Sequence, residues 1–270
     1  MPNYICATCG VQHGASDTPP EHCPICEDER QYIGLKGQRW TTIPEMQKEY
    51  HNRIEEVDPN ITGIGTVPSF AIGQRALLIQ TPSGNVLWDC ISLLDDATIE
   101  AIRALGGISA IATSHPHTVG SLVEWSHAFD NAPIYWHVDN HDWVMRPDPN
   151  FVFWTGEASE LIGGLTLIRC GGHFTGSTVL HWPDGAQGRG AMLVGDTMQV
   201  AQDRRYVSFM YSYPNMIPLN AQTVQLIVDS VEPYAFDRIY GGWWDFVVKN
   251  DAKAAVKRSA ERYIKAISPA

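Results

Sequence analysis

The sequence predicts an α/β domain preceded by a small metal-binding ribbon with four cysteine ligands. Four of the six cysteines lie within the first 26 of 270 residues, which indicates a metal site near the N-terminus. After residue 37, short apolar runs typical of strands alternate with helical patterns, and several runs end in His or Asp. The chain is long enough for one large core beside a small module. We therefore predict a ribbon over residues 1–37 and one α/β domain over residues 38–270.

Composition and charge exclude several classes of protein. The 30 acidic and 19 basic side chains give a net charge of −11, which argues against a nucleic-acid surface of clustered Lys and Arg. Hydrophobic residues make up 44% of the chain, unlike in a disordered protein. No apolar run approaches the roughly 20 residues of a spanning helix, and Met1–Cys6 lacks the features of a signal peptide. We expect a cytoplasmic protein that acts on a small molecule and binds neither nucleic acid nor a membrane.

The N-terminal cysteines have the spacing of paired metal knuckles. Two residues separate Cys6 from Cys9, and two separate Cys23 from Cys26. This spacing lets one tight turn direct both thiolates to an ion, and two such turns complete a tetrahedral shell of four sulfurs. The segment between the pairs is too polar to form a core without the metal. The alternative is a disulfide-linked or free-thiol tail.

Residues Tyr4–Gly10 together with Cys23–Cys26 resemble the rubredoxin-like ribbon, particularly the short form appended to rubrerythrins. The resemblance leaves both zinc and iron open, because sulfur-only ligation accepts either ion. Zinc is the first choice, since no second redox site is evident nearby, and iron is the alternative. We expect the ribbon to have a structural role or to contact another protein, and formation of a homo-oligomer is the alternative.

The rest of the chain carries local signals for strands and helices. Thr42–Glu45 is typical of a helix start, and residues 76–80 and 86–90 flank a turn of the sequence Thr-Pro-Ser-Gly-Asn, which predicts a hairpin. Further elements are predicted in chain order: a helix at 97–105, strands at 108–114, 165–170, 178–182, 192–196 and 237–240, and a closing helix with Val256, Ala260, Tyr263, Ile264 and Ile267 on one face.

Histidine and aspartate side chains stand at the ends of three predicted strands. His115 and His117 follow one strand, His173 follows another, and Asp196 ends a third. Strand ends are rigid and converge at one edge of a sheet. Pro116 fixes a bend that can direct both neighbouring imidazoles to one ion. The pattern predicts a metal site formed by these four side chains.

These motifs resemble the metallo-β-lactamase superfamily, and the resemblance covers about residues 44–270. It rests on Asp89, His115–His117, Gly172–Ser177 and Gly195–Asp196, with Tyr213–Leu219 similar to glyoxalase II-type and related hydrolases. It implies an αββα sandwich with metals at one sheet edge.

The sequence departs from the superfamily at the second metal site. Val119 and Gly120 stand where the motif His-x-His-x-Asp-His has its Asp and last His, and Gly241–Gly242 leads into Trp243 instead of a His. Because a whole coordination sphere is missing together, we predict one divalent ion at the His/Asp site. Zinc is the first choice there, and iron or manganese is the alternative.

Three functions are compatible with this site. The first is a hydrolase, in which metal-bound hydroxide attacks an ester, thioester or amide and Asp196 binds the metal or takes the proton. The second is an iron-dependent oxidoreductase, because His115, His173 and Asp196 would form a triad like that of persulfide dioxygenases. The third is a non-catalytic, metal-stabilised binding module, favoured by a closed shell of four ligands.

Three further residues are candidates around the metal. Asp89 is predicted either to accept a hydrogen bond from a ligating imidazole or to cap its strand end. His137 and His141 lie in the aromatic segment 133–154. That segment either covers the site and binds an apolar or aromatic substrate, with one of the two histidines as acid/base, or is a loop anchored by its aromatic residues.

Overall fold

Two mixed β-sheets pack face to face in the computed structural model, which describes residues 1–268. Helices cover the outer face of each sheet, and a separate small sheet is formed near the N-terminus. This arrangement is the αββα sandwich preceded by a cysteine-rich ribbon that the sequence predicts. No helix within the described residues is both long and apolar enough to cross a membrane.

The ribbon is a three-stranded antiparallel sheet with one short helix. Its elements are β1 (Asn3–Cys6), β2 (Gln12–Ala15), α1 (Pro24–Glu27) and β3 (Trp40–Thr41), and the strand order is β2-β1-β3. The third strand lies beyond residue 37, and the boundary between the two parts stays a prediction. The predicted helix start is confirmed, because α2 (Ile43–Met46) begins where the side chain of Thr42 accepts a hydrogen bond from the Glu45 amide at 3.4 Å.

The first large sheet has seven strands, and two α-helices lie in its part of the chain. These elements are β4 (His51–Asp58), β5 (Ile61–Val67), β6 (Arg75–Ile79), β7 (Val86–Trp88), α3 (Asp96–Ala104), β8 (Ala110–Ala112), α4 (Leu122–Ala128), β9 (Ile134–His137) and β10 (Phe151–Trp154). Strands β7 to β10 pair in parallel, and β4 to β7 pair antiparallel. The predicted hairpin is confirmed by the pairing of Leu77 with Trp88.

The second large sheet has six strands and carries the C-terminal helices. Its part of the chain contains β11 (Ala158–Glu160), β12 (Thr166–Arg169), β13 (Thr178–Trp182), α5 (Gly185–Gly188), β14 (Ala191–Leu193), β15 (Gln199–Val200), β16 (Val207–Ser208), β17 (Met210–Ser212), β18 (Ile217–Pro218), α6 (Ala221–Val231), β19 (Arg238–Tyr240), β20 (Val247–Val248) and α7 (Ala252–Ile267). The sheet order is β11-β12-β13-β14-β19-β20, while β15-β16 and β17-β18 are separate antiparallel pairs.

The core divides according to the two-residue period of the strands. Leu77 and Ile79 face the second sheet, whereas Ala76 and Leu78 face the helical side. The ribbon cysteines belong to the cluster on that helical side, so the ribbon shares a core with the larger body. Helix α7 buries Val256 and Ala260 as its pattern predicts, but Ile267, assigned to the same face, is 38% exposed near the helix end.

The structure corrects the loop interpretation of residues 133–154. Strands β9 and β10 extend the first sheet, and the 3₁₀ helix Val138–Trp143 connects them. The aromatic side chains pack on the sheet, since Trp136 is buried and stacks on Phe151 at 5.9 Å between ring centroids. The β4–β5 pair also has no clear sequence signal, because glycines in β5 weaken the strand pattern.

Those glycines leave room for a tryptophan. A Cβ atom built on Gly65 would lie 2.5 Å from Nε1 of Trp244, and one on Gly63 would lie 2.8 Å from the same ring. The indole also lies beside the guanidinium of Arg53, 4.1 Å from the ring centroid. A residue larger than glycine at either position must displace this ring.

We expect Gly65→Ala to lower the free energy of unfolding by about 1–3 kcal/mol, because the added methyl overpacks the Trp244 contact. Thermal and urea unfolding measure the change. Gly34→Ala is the matched control, since a Cβ there has no neighbour within 4 Å. Equal stability of the two variants would contradict the role assigned to the tryptophan contact.

Candidate metal centres

The four ribbon cysteines form a buried cluster of sulfurs. The Sγ atoms of Cys6 and Cys26 are 3.5 Å apart, and those of Cys9 and Cys23 are 3.7 Å apart. These separations are much longer than the about 2.05 Å of a disulfide. They are close to the edge of about 3.8 Å that zinc–sulfur bonds of about 2.3 Å give a tetrahedron. The cluster therefore fits one metal ion and excludes the disulfide alternative in this structure.

Three hydrogen bonds are donated to the sulfur of Cys6 in the first cysteine pair. The amides of Thr8 and Cys9 donate to Sγ of Cys6 at 3.4 and 3.5 Å, and the Gln38 side chain donates to the same sulfur at 3.0 Å. Such donors stabilise a thiolate. Burial raises the pKa of the Cys9 thiol, so a cation is needed to keep this sulfur ionised beside three others.

The second cluster brings together all four predicted His and Asp ligands. His115, His117, His173 and Asp196 each offer one ligand atom, and these atoms lie within 4.8 Å of one another. Nε2 of His173 is 3.2 Å from Nδ1 of His117, and Oδ2 of Asp196 is 3.4 Å from Nε2 of His115. Metal bonds of about 2.0–2.1 Å give tetrahedral edges of about 3.3–3.4 Å, so the spacing suits one ion.

Each ligand is delivered by the end of a strand. His115 and His117 follow β8 around the single 3₁₀ turn Pro116–Thr118, His173 follows β12, and Asp196 follows β14. The loops from the two sheets meet closely, because a Cβ on Gly195 would lie 2.4 Å from Oγ of Ser114. The convergence of strand ends at one edge, predicted from the sequence, is thus what forms the cluster.

The imidazoles are held in the form that binds a metal. Nδ1 of His173 donates to the Met210 carbonyl at 3.2 Å, which leaves its Nε2 free for an ion. Burial lowers the pKa of His173 to about 4 and that of His117 well below its ordinary value, so both rings are neutral near pH 7. Nε2 of His115 is buried without a hydrogen-bond partner. An orphaned nitrogen that faces a carboxylate and two other imidazoles fits the role of a metal ligand.

Asp89 accepts hydrogen bonds from the loop that carries the first two ligands, His115 and His117. Its Oδ1 accepts hydrogen bonds from the Ser114 amide at 2.7 Å, the Ser114 hydroxyl at 2.8 Å and the Thr118 hydroxyl at 2.7 Å. The Ser114 hydroxyl is also 2.8 Å from Nδ1 of His115. If that hydroxyl donates to Asp89, it accepts from Nδ1–H of His115, and Nε2 is then free for the ion. The carboxylate therefore acts on His115 through Ser114 and also holds the loop that follows β8.

His137 and His141 lie outside this cluster. Nε2 of His137 is 3.1 Å from the Gly156 carbonyl, and its Nδ1 accepts from the Asp139 amide at 3.2 Å. His141 is exposed and packs on Phe153 with 4.9 Å between centroids. Among the described contacts, no hydrogen bond or ring contact joins either residue to the four ligands. An acid/base role for them stays a prediction.

Val119, Gly120 and Trp243, which depart from the superfamily motif, take part in packing and backbone hydrogen bonds. Gly120 has a φ of +49°, and a Cβ there would lie 2.5 Å from the backbone of Ile91. Its carbonyl accepts a hydrogen bond from the amide of Gln12 in the ribbon at 2.9 Å. Val119 is buried in the core that includes the ribbon cysteines. Trp243 donates its indole N–H to the Ile72 carbonyl at 2.9 Å.

The sequence does not predict that the ribbon residue Arg30 reaches the His/Asp cluster. Its Nη1 donates to the His173 carbonyl at 3.2 Å, and its guanidinium lies 3.8 Å from the ring centroid of Phe174. Phe174 in turn packs against His117 and His173 at 5.0 and 5.1 Å between centroids. The contact spans 143 positions of the chain, and no local motif signals it.

A sequence relative and several solved structures are similar to this chain. The uncharacterized protein YmaE of Bacillus subtilis (strain 168) is 52% identical over 270 residues, which cover 99% of this chain and 98% of YmaE. No family model matches the sequence.

The solved structures are metallo-β-lactamases of low sequence identity. DIM-1, exposed to ceftazidime, has a TM-score of 0.59 at 14% identity over 81% of this chain and 98% of its own. SMB-1 in complex with mercaptoacetic acid has a TM-score of 0.54 at 16% identity, covering 80% and 97%. MEM-A1, a subclass B3 enzyme from a soil metagenome library, has a TM-score of 0.53 at 18% identity, covering 79% and 96%. The chain therefore belongs to the same family as YmaE and has the metallo-β-lactamase fold, with a cysteine ribbon at its N-terminus.

Proposed function

We propose that this protein is a mononuclear metal-dependent hydrolase that cleaves an ester, thioester or amide. The observation that carries the proposal is the cluster of three imidazoles and one carboxylate at the strand ends of a metallo-β-lactamase fold. A divalent ion held there supplies Lewis acidity and lowers the pKa of a coordinated water. Zinc is our first choice, since the separations of 3.2 and 3.4 Å suit a tetrahedral shell.

Asp196 is the residue we assign to proton transfer. Its Oδ2 lies 3.4 Å from Nε2 of His115 and 3.9 Å from Nε2 of His173, so it faces the position between the imidazoles. Its Oδ1 lies 3.5 Å from the side-chain nitrogen of Gln199, which orients the carboxylate. A carboxylate oxygen in this place can accept a proton from the attacking water and return it to the leaving group.

The neighbouring aromatic side chains support an apolar or aromatic substrate. Phe174 and Tyr213 lie next to His173, and Trp143 packs against Phe174 at 5.3 Å between centroids. An apolar wall with few polar groups orients a small molecule through shape. The net charge of −11 continues to argue against a nucleic-acid substrate. For the ribbon we propose zinc in a structural role.

A non-catalytic metal-stabilised module is the second candidate, and burial of the ligands favours it. His115, His117, His173 and Asp196 are exposed by only 0, 2, 1 and 5%. A shell closed by four protein ligands suits a structural role better than catalysis.

Turnover of p-nitrophenyl esters and aryl thioesters by the metal-loaded protein decides between the hydrolase and the non-catalytic module. Iron instead of zinc at the His/Asp site, with oxygen consumption, would favour the oxidoreductase.

We expect His173→Ala to lose the ion of the His/Asp site and the hydrolytic activity, while the ribbon keeps its own ion. The metal content of the purified protein, measured by elemental analysis, then falls by about one ion per chain, because only two imidazoles remain to hold the ion. His127→Ala is the control, since this exposed residue bonds to Asp148 outside the cluster. Unchanged metal content in His173→Ala would contradict the assignment.

Asp196→Asn separates proton transfer from metal binding. The amide keeps the shape of the side chain but is a poor base, so we expect kcat to fall by about 10²–10⁴-fold while one ion per chain remains at this site. Steady-state kinetics and elemental analysis on the same sample measure both. The exposed Asp203→Asn serves as the control. Full activity in Asp196→Asn would exclude the carboxylate as the base.

A further inference from the structure

We propose that the ribbon segment Asp28–Gln31 is a gate over the His/Asp site, that Arg30 holds it closed, and that the ion bound by the ribbon cysteines keeps it in place. The proposal concerns access to the cluster assigned above and rests on metal binding there, whatever reaction follows. It gives the ribbon a role beyond folding its own residues. Four sets of contacts carry it.

The first is the contact of Arg30 with the wall of the site. Its guanidinium lies over Phe174 at 3.8 Å, and the other rings near it are Trp143 at 5.4 Å and Tyr211 at 5.2 Å. The Phe174 ring packs on the imidazoles, so Arg30 is one ring away from the ligands. Its side chain is only 13% exposed. An arginine stacked among three aromatic rings gains cation–π and packing energy that disappears when the segment moves away.

The second is a set of hydrogen bonds to the backbone of the segment. Ser212 donates to the Arg30 carbonyl at 3.1 Å, and the side-chain nitrogen of Asn215 donates to the carbonyls of Glu29 and Gln31 at 2.9 and 2.8 Å. Three successive carbonyls are thus held by the region of the β17–β18 hairpin. The same hairpin provides the Met210 carbonyl to His173. The gate and one ligand therefore share a support.

The third is an internal ion pair that allows the segment to leave. Asp28 accepts from Nε of Arg30 at 2.6 Å and from Nη2 at 2.8 Å. The two opposite charges lie within the same four residues and move together. Opening therefore leaves no unpaired charge in the larger domain, which would be the costly outcome. Opening breaks hydrogen bonds, which water can replace in part, and it loses the contacts with the aromatic rings.

The fourth is the direct connection to the ribbon ion. The Asp28 amide donates to the Pro24 carbonyl at 3.2 Å, so the segment continues from the turn that holds Cys23 and Cys26. Since a cysteine ribbon of this size depends on its metal for folding, loss of the ion releases the anchor of the segment. Access to the His/Asp site is then controlled by the state of the ribbon.

The test measures escape of the enclosed ion. The protein is loaded with Co²⁺ at both sites, and EDTA is added in excess. Thiolate-to-cobalt charge-transfer absorption reports the ribbon, and the remaining visible bands report the His/Asp site. We expect Arg30→Met to release the His/Asp ion at least about tenfold faster than the unaltered protein, with the ribbon absorption unchanged at early times.

Arg146→Met is the matched control. Arg146 also lies between ribbon and domain, is 16% exposed, and pairs with Glu124 at 2.6 Å, but it does not contact the His/Asp cluster. It should release the ion at the unaltered rate. Arg30→Lys, which keeps the charge and the aliphatic stem, should give an intermediate rate, and this variant serves if Arg30→Met does not fold. Equal rates for the Arg30 and Arg146 variants would overturn the gate.

The role of the ribbon ion has its own variant. Cys26→Ser should also speed release from the His/Asp site at least about tenfold, because the segment loses its anchor. An unchanged release rate in Cys26→Ser would overturn the link to the ribbon. Failure of the hydrolase proposal is distinguishable, since faster release without any turnover supports the gate and contradicts hydrolysis alone.

Discussion

The buried carboxylate of Asp89 is the contact on which the His/Asp cluster depends. Asp89 lies at the end of β7 with a φ of +57°. Its carboxylate accepts hydrogen bonds from a backbone amide and two hydroxyls of the loop after β8. That loop carries His115 and His117, and Ser114 connects the carboxylate to the first imidazole. Burial raises the pKa of Asp89, whereas the hydrogen bonds that Ser114 and Thr118 donate to Oδ1 favour its charged form. One group that is not among the four side chains of the cluster thus orients two of them.

The ribbon packs directly on the larger domain beside this cluster. The ribbon cysteines share a core with the first sheet, and the Gln12 amide donates to the Gly120 carbonyl. In this chain the segment of Val119 and Gly120 is an attachment surface for the ribbon.

Most residues of the site can be predicted from the local sequence, whereas strands at the outer part of the first sheet are harder to predict. The ligands could be predicted because residue type, spacing and a preceding buried strand are all local features. Strands β9 and β10 were ambiguous, since their aromatic residues suit both a packed strand and an anchored loop. Strand β5 contains Gly63 and Gly65, and the ring of Trp244, which is distant in sequence, leaves no room for a Cβ atom at either position. A glycine required by a contact of this kind resembles, in the local sequence, a break in the strand.

By itself, the sequence determined the chemistry: a four-cysteine ribbon, three imidazoles and a carboxylate at strand ends, and an acidic surface. Spacing and residue type are sufficient for these conclusions because metal ligation depends on donor atoms and short turns. Only the tertiary structure decided that Asp89 acts through Ser114 and that Arg30 covers Phe174 beside His173. These contacts join residues far apart in the chain, and their geometry is set by how the ribbon packs on the sandwich, which no periodicity or motif encodes.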